Sequence, residues 1–132
     1  GVEMFVDKAG EIFVNEVAPR PHNSGHYTIE ACVTSQYEQH VRAVAGLPLG
    51  VPDQMRPCVM YNILGEPGYT GEPKLDGLES CLDLAGVSLH MYGKAETRGF
   101  RKMGHATVTS PNLEEALEKA LFIKKNFKVI SE

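Results

Sequence analysis

"VEMFVDKAGEIFVNEV", residues 2–17, holds two β-type runs, VEMFV and IFVNEV, around the turn-rich DKAGE with its Gly10. Short apolar runs on either side of a glycine turn predict a β-hairpin. If the connection is Lys8 to Glu11, Asp7 faces Ile12 and Glu3 faces Glu16. Two carboxylates directly across a strand pair repel each other. A divalent cation between them turns that repulsion into a ligand set, because Mg²⁺ takes one or two carboxylates together with phosphate oxygens. Solvated strand glutamates in another register fit the same letters. Asn15, next to Glu16, can add a neutral oxygen, although alternation along the strand points it to the other face.

The hairpin runs directly into "NEVAPRPHNSGH", residues 15–26, which crowds Asn15, Glu16, Arg20, His22, Asn23, Ser24 and His26 into a dozen positions. Pro19, Pro21 and Gly25 exclude regular structure there, so these polar groups are not the solvated face of a helix. Arg20 is a planar, permanent cation suited to a carboxylate, bicarbonate or phosphate. His22, Asn23 and Ser24 add neutral donors within one turn. His22 and His26 have no cysteine or third histidine at ligand spacing, which disfavours zinc. A loop stitched by its own hydrogen bonds is the competing reading.

The 132 residues allow one modest domain or two small ones, with 42% apolar residues but also 13 glycines and 8 prolines. A net charge of −4 argues against general nucleic-acid binding. Cys32, Cys58 and Cys81 are odd in number and form no CxxC pair, which fits reduced core thiols in the cytoplasm. No apolar run approaches a membrane span, and no charged-then-apolar signal segment is expected within these residues.

Along the chain, Ser35 and Glu38 form a capping box that opens a helix in TSQYEQHVRAVAG, with Tyr37, Val41 and Val44 as its apolar stripe. YTIEACV is strand-like by composition and helical by spacing. The proline-rich GLPLGVPDQMRP, residues 46–57, marks a boundary, and residues 1–50 and 51–132 are expected as two domains. CVMYNILG, at 58–65, predicts a buried strand; EPGYTGEPK, at 66–74, a loop; LDGLESCLDLAG, at 75–86, a short helix. VSLHMYG and HATVTS predict strands, and KVIS a last one. NLEEALEKALFIKKNF, at 112–127, predicts the longest helix, capped by Asn112 and Glu115, with Leu113, Ala116, Leu117, Ala120 and Leu121 inward. The fold class is α+β. Between these elements, KAETRGFRKMG gathers Lys94, Arg98, Arg101 and Lys102 in an otherwise acidic chain. A glycine-bearing basic loop suits a phosphomonoester; a solvated charged loop fits equally.

The strings "NEVAPRPHNSGHYTIEACVTSQYEQH" and "YGKAETRGFRKMGH" resemble the N5-carboxyaminoimidazole ribonucleotide synthetases, ATP-grasp ligases of purine biosynthesis. The same module forms the first part of fungal phosphoribosylaminoimidazole carboxylases. The resemblance runs through nearly the whole chain and is densest over residues 2–50 and 87–109. It implies the C-terminal part of an ATP-grasp domain, followed by a small β-rich domain with a helix.

The resemblance also implies a reaction and its residues. ATP phosphorylates bicarbonate to carboxyphosphate, and the carboxyl group passes to the amine of 5-aminoimidazole ribonucleotide. Glu3 and Glu16 would hold Mg²⁺, with two ions expected, and Asn15 and Glu16 would touch ATP. Arg20 and His22 would be catalytic and, with Asn23 and Ser24, would line the bicarbonate and ribonucleotide side. Lys94, Arg101 and Lys102 would take the ribonucleotide phosphate, with Arg98 beside them. A cytoplasmic homodimer is expected, with no nucleic-acid or membrane partner. Two positions depart from the pattern: Ala18, where many ATP-grasp enzymes have Asn, and Phe100, where relatives usually have Gly. The N-terminal ATP-grasp half is expected elsewhere in a parent chain, so the isolated polypeptide is expected to be inactive. A non-catalytic ligand-binding or dimerisation module, and a sister ligase with another acceptor, are the alternatives.

Overall fold

The first hairpin forms with a longer connection than its sequence suggests. In the computed structural model, which describes residues 1–132, β1 (Val2–Val6) pairs antiparallel with β2 (Ile12–Val17). Val6 faces Ile12, so Asp7 lies in the turn rather than in the ladder. Its Oδ1 accepts the amides of Ala9 at 2.8 Å and Glu11 at 2.9 Å, the short-range bonding that draws aspartate out of strands. That register alone would set Glu3 against Asn15. A β-bulge instead makes Asn15 an extra residue, and Glu3 again faces Glu16.

The chain divides into two compact units, Gly1–Gln54 and Met55–Glu132. In the first, the hairpin is followed by a 3₁₀ turn (Asn23–Gly25), α1 (Thr28–Ala31) and α2 (Gln36–Val44). The ambiguous YTIEACV is therefore helical at its centre. Ser35 caps α2 by accepting the Glu38 amide at 3.2 Å, but the Glu38 carboxylate turns to Arg42 at 2.7 Å instead of closing the box. The expected stripe of α2 is not buried: Tyr37, Val41 and Val44 are 39%, 62% and 76% exposed. This unit buries only Ala18, Ala31, Cys32 and Thr34, too little apolar surface to receive a stripe. The polar face of α2 makes its attachments. Gln39, for example, donates to the Gly50 carbonyl at 2.6 Å and accepts the Gly50 amide at 2.9 Å.

The second unit is built on β3 (Cys58–Leu64), β6 (Val87–Met91) and β8 (Lys102–Thr109), antiparallel in the order β3-β8-β6. The apolar run CVMYNILG is an edge strand, mostly half-buried, and β8 takes the buried centre. β8 starts at Lys102, so Lys102 and Met103 belong to the sheet and not to the basic loop. Two ribbons complete the unit. β4 (Thr70–Gly71) pairs with β7 (Thr97–Arg98), and β5 (Lys74–Asp76) pairs with β9 (Lys128–Ile130). The segments expected as plain loops thus contain the β4–β7 pair. The expected helix at 75–86 is shortened to α3 (Leu78–Leu82). Gly77, at φ +75°, makes that join; a Cβ there would lie 2.1 Å from the Asn126 carbonyl oxygen.

α4 (Leu113–Asn126) is capped as expected, with the Asn112 side chain accepting the Glu115 amide at 2.9 Å. Its buried face is Ala116, Ala120 and Ile123, continued by Phe127. Leu113, Leu117 and Leu121 stand 59%, 48% and 56% exposed, so the expected stripe splits in two. Fully buried Ala106 on the sheet and Ala116 on the helix are small, which admits close approach, and Ile123, Met103 and Val108 fill the layer between. Burial also pushes the Cys32 and Cys81 thiols above their ordinary pKa, with Asp53 adding to the effect at Cys32.

Ile123→Ala is expected to cost about 2–5 kcal/mol by leaving a core cavity. Leu117→Ala should cost under about 0.5 kcal/mol; urea unfolding compares them, and equal losses would contradict this packing. Phe100 is the one non-glycine residue at positive φ, +63°, and the residue is 72% exposed. That conformation costs about 1–2 kcal/mol, more than the ~0.5–1 kcal/mol that glycine loses in entropy. Phe100→Gly should therefore raise stability by roughly 0.5–1 kcal/mol, against the usual direction for such a truncation. At pH 8, Cys32 and Cys81 should react with a disulfide reagent at least about tenfold more slowly in the native chain than in urea, because burial disfavours their thiolates.

Candidate metal and nucleotide site

The bulge in β2 brings the polar groups of the first unit together. With two residues of β2 opposite one of β1, the Asn15 side chain reaches the Glu3 side of the ribbon. Its Nδ2 donates to Glu3 Oε1 at 2.5 Å, contrary to the alternation expected of a regular strand. Ala18 is buried and joined to Gly1 by main-chain hydrogen bonds, which extends the pairing beyond the bulge. The chain then passes through Pro19 and Pro21 and returns at His22, which is extended at φ −110°, ψ 148°.

His22 Nε2 lies 2.9 Å from Glu16 Oε1 and 3.9 Å from Glu3 Oε2. One ligand atom from each of Glu3, Glu16 and His22 can be chosen so that all lie within 4.8 Å of one another. His22 Nδ1 is 2.8 Å from Ser24 Oγ. The serine hydroxyl can donate or accept. The ring can therefore carry its proton on Nε2 toward Glu16, or on Nδ1 toward Ser24 with the Nε2 lone pair free. Two carboxylates and one imidazole form a donor set for a divalent cation: the oxygens suit Mg²⁺ and Mn²⁺, and the imidazole tilts the set toward Mn²⁺.

Sequence reading made His22 a catalytic and substrate-side residue, and the structure sets its imidazole against both glutamates. His26 goes elsewhere. Its ring stacks on Tyr37 at 5.5 Å, and its Nδ1 lies 2.8 Å from Gln36 Nε2. Arg20 is exposed, donates from Nη1 to the Pro21 carbonyl at 3.0 Å, and borders a groove of about 590 Å³ together with Tyr27, Thr28 and His40. Asn23 opens the 3₁₀ turn and its carbonyl accepts the His26 amide at 3.1 Å.

The second group of expected site residues lies in the second unit. Lys94 donates to the Lys102 carbonyl and lies 5.8 Å from the centre of the Tyr92 ring. Arg101 donates from Nη1 to the Glu96 carbonyl at 2.9 Å. These bonds anchor the side chains without neutralising their charge. Arg98 is exposed in β7, and Lys102 is exposed at the start of β8.

Sequence reading missed Gln36, Thr28 and Gly25. Gln36 opens α2, a position where a polar residue usually faces solvent; its partial burial is the signal, and only the structure shows it.

Comparison with known proteins matches this architecture. Residues 1–37 match the ATP-grasp domain model, and residues 58–119 match the phosphoribosylaminoimidazole carboxylase C-terminal domain. The chain thus contains part of an ATP-grasp fold. It is 64% identical to the N5-carboxyaminoimidazole ribonucleotide synthetase of Thermotoga maritima, with a TM-score of 0.93, over 99% of this chain and 36% of that one. It is 49% identical over 118 residues to the Bacillus subtilis N5-carboxyaminoimidazole ribonucleotide synthase, covering 89% of this chain and 30% of that protein. An Aspergillus clavatus synthase solved with ADP and 5-aminoimidazole ribonucleotide is 36% identical, TM-score 0.79, over 94% of this chain and 33% of that one. The chain is thus similar over most of its length to N5-carboxyaminoimidazole ribonucleotide synthetases and spans about a fifth to a third of the curated relatives it matches. No helix is long and apolar enough to cross a membrane.

Proposed function

We propose that this chain supplies the metal-binding and part of the substrate-binding machinery of an ATP-dependent carbon–nitrogen ligase of purine biosynthesis. The ligase carboxylates 5-aminoimidazole ribonucleotide with bicarbonate through carboxyphosphate. The observation that carries this reading is the convergence of Glu3, Asn15, Glu16 and His22 at one bulge, in a chain 64% identical to a synthetase of that name.

Glu3 and Glu16 would hold Mg²⁺, whose charge offsets that of the ATP phosphates; in phosphoryl transfer, positioning and electrostatics do most of the catalysis. Asn15 orients the Glu3 carboxylate through its amide and would contact the nucleotide. Arg20, Asn23 and Ser24 would orient bicarbonate and the acceptor, with His22 bridging the carboxylates and the substrate. Lys94, Arg101 and Lys102, with Arg98 beside them, would bind the ribonucleotide phosphate as charge-assisted donors. The exposed row Leu113, Leu117 and Leu121 is the kind of apolar strip that an interface covers, which supports a homodimer. The three free cysteines fit the reducing cytoplasm.

The chain alone is expected to show no turnover with ATP, bicarbonate and 5-aminoimidazole ribonucleotide. Exchanged for the matching segment of the Thermotoga synthetase, it should give carboxylation within about tenfold of the parent. Glu16→Gln in that chimera should lower turnover by about 10² or more, the scale expected when charge stabilisation is lost at the transition state. A folded chimera that binds ATP yet transfers no carboxyl group would refute the ligase reading. A chimera indifferent to Glu16→Gln would refute the metal assignment.

A further inference from the structure

We infer that Gln36 is a positioning residue, whose side-chain amide clamps the main chain of His22 and so aims the imidazole at the Glu3–Glu16 pair. This deepens the reading of that cluster as a cation site and rests on it for one of the two measurements below.

His22 follows Pro19 and Pro21 in a loop, where no strand offers it a partner. In its extended conformation the N–H and C=O point to the same side, as they do toward a neighbour in an antiparallel ladder. The Gln36 amide takes the neighbour's place. Oε1 accepts the His22 amide at 2.9 Å, and Nε2 donates to the His22 carbonyl at 2.7 Å. The remaining amide hydrogen is directed to His26 Nδ1 at 2.8 Å. The His22 carbonyl also accepts the Gly25 amide at 3.0 Å, which closes the 3₁₀ turn beneath it.

Gln36 is itself fixed. Its main-chain N–H donates to Thr28 Oγ1 at 2.9 Å, and that hydroxyl donates to the Gly25 carbonyl at 2.5 Å. Gly25 gives the amide its space, because a Cβ there would lie 2.5 Å from Gln36 Oε1. With the His22 backbone held, Ser24 sets the ring rotation and Nε2 falls 2.9 Å from Glu16. Groups that orient a ligand in this way typically change metal affinity by about 10–100-fold when removed.

The fold supplies an internal control. Gln39, one turn further along α2, makes the same two-bond clamp on Gly50. Gln36→Leu and Gln39→Leu remove the same chemistry from the same helix, and a purely structural role predicts the same consequences for both.

The experiment uses the 132-residue chain at pH 8, with two measurements. Two-bond ¹H–¹⁵N imidazole spectra without metal report the His22 tautomer, and Mn²⁺ titration followed by electron paramagnetic resonance reports affinity. Gln36→Leu should move the His22 ring signals toward tautomer averaging and weaken Mn²⁺ binding by about tenfold. Gln39→Leu should leave both at wild-type values. Gly25→Ala, which pushes the Gln36 amide aside without removing it, should reproduce the Gln36→Leu result and serves if that variant does not fold. An unchanged His22 ring spectrum in a folded Gln36→Leu or Gly25→Ala chain, or equal effects from Gln36→Leu and Gln39→Leu, would overturn the inference. If wild-type chain binds no Mn²⁺, the cation reading fails, and the ring spectra alone decide the role of Gln36.

Discussion

Because β2 carries one residue more than β1 can pair, Asn15 and Glu16 both stand opposite Glu3. The other site contacts of the first unit depend on that bulge. An unbulged ribbon with the same turn would set Glu3 against Asn15 and turn Glu16 to the opposite face, since a shift of one residue reverses every side chain. The two carboxylates would then share no space. The bulge keeps them together, places an amide donor on one of them, and directs the chain toward the loop that returns His22. Bulges commonly re-aim side chains near active sites, and here the re-aimed group is Asn15.

Much of the fold was legible because its signals are local. The capping residues Ser35 and Asn112 start helices through bonds to amides three residues away, and both make those bonds. The hairpin and the main strands of the second unit follow from short apolar runs between turns. What misled was the assumption that every apolar row has a partner. The leucine row of α4 and the valines of α2 are exposed, while Ala116 and Ala120, expected inward in the same stripe, do lie against the sheet. Size decided the matter: alanines let helix and strand come close, and the leucines fell to the outer side.

The candidate site was legible as a list of residues and not as an arrangement. Glu3 opposite Glu16 follows from counting, yet the count assumed a short turn and a regular strand, and the two errors cancelled. Asp7 left the ladder because its carboxylate bonds to its own turn, and the bulge restored the register. His22 against the glutamates could not be read from spacing, since it depends on how two prolines carry the chain back. Gln36 was hidden for a related reason. A glutamine in the first turn of a helix looks solvated unless the loop folded over it is already known.

These observations converge on how a unit with so little core keeps a site in order. The first unit buries few apolar side chains, so packing density alone does not hold residues 18–54 in place. Hydrogen bonds from α2 substitute for packing: Gln36 holds the His22 loop, and Gln39 holds the segment at Gly50. Such cross-links are directional. A net hydrogen bond contributes only about 0.5–1.5 kcal/mol to stability, yet each one fixes where a main-chain segment lies and therefore where its side chain points. A site ordered in this way is robust to small volume changes, which it barely registers, and sensitive to the loss of single amides. That asymmetry is the reverse of what holds around Ile123 in the second unit, where an apolar cluster of closely packed side chains makes shape matter.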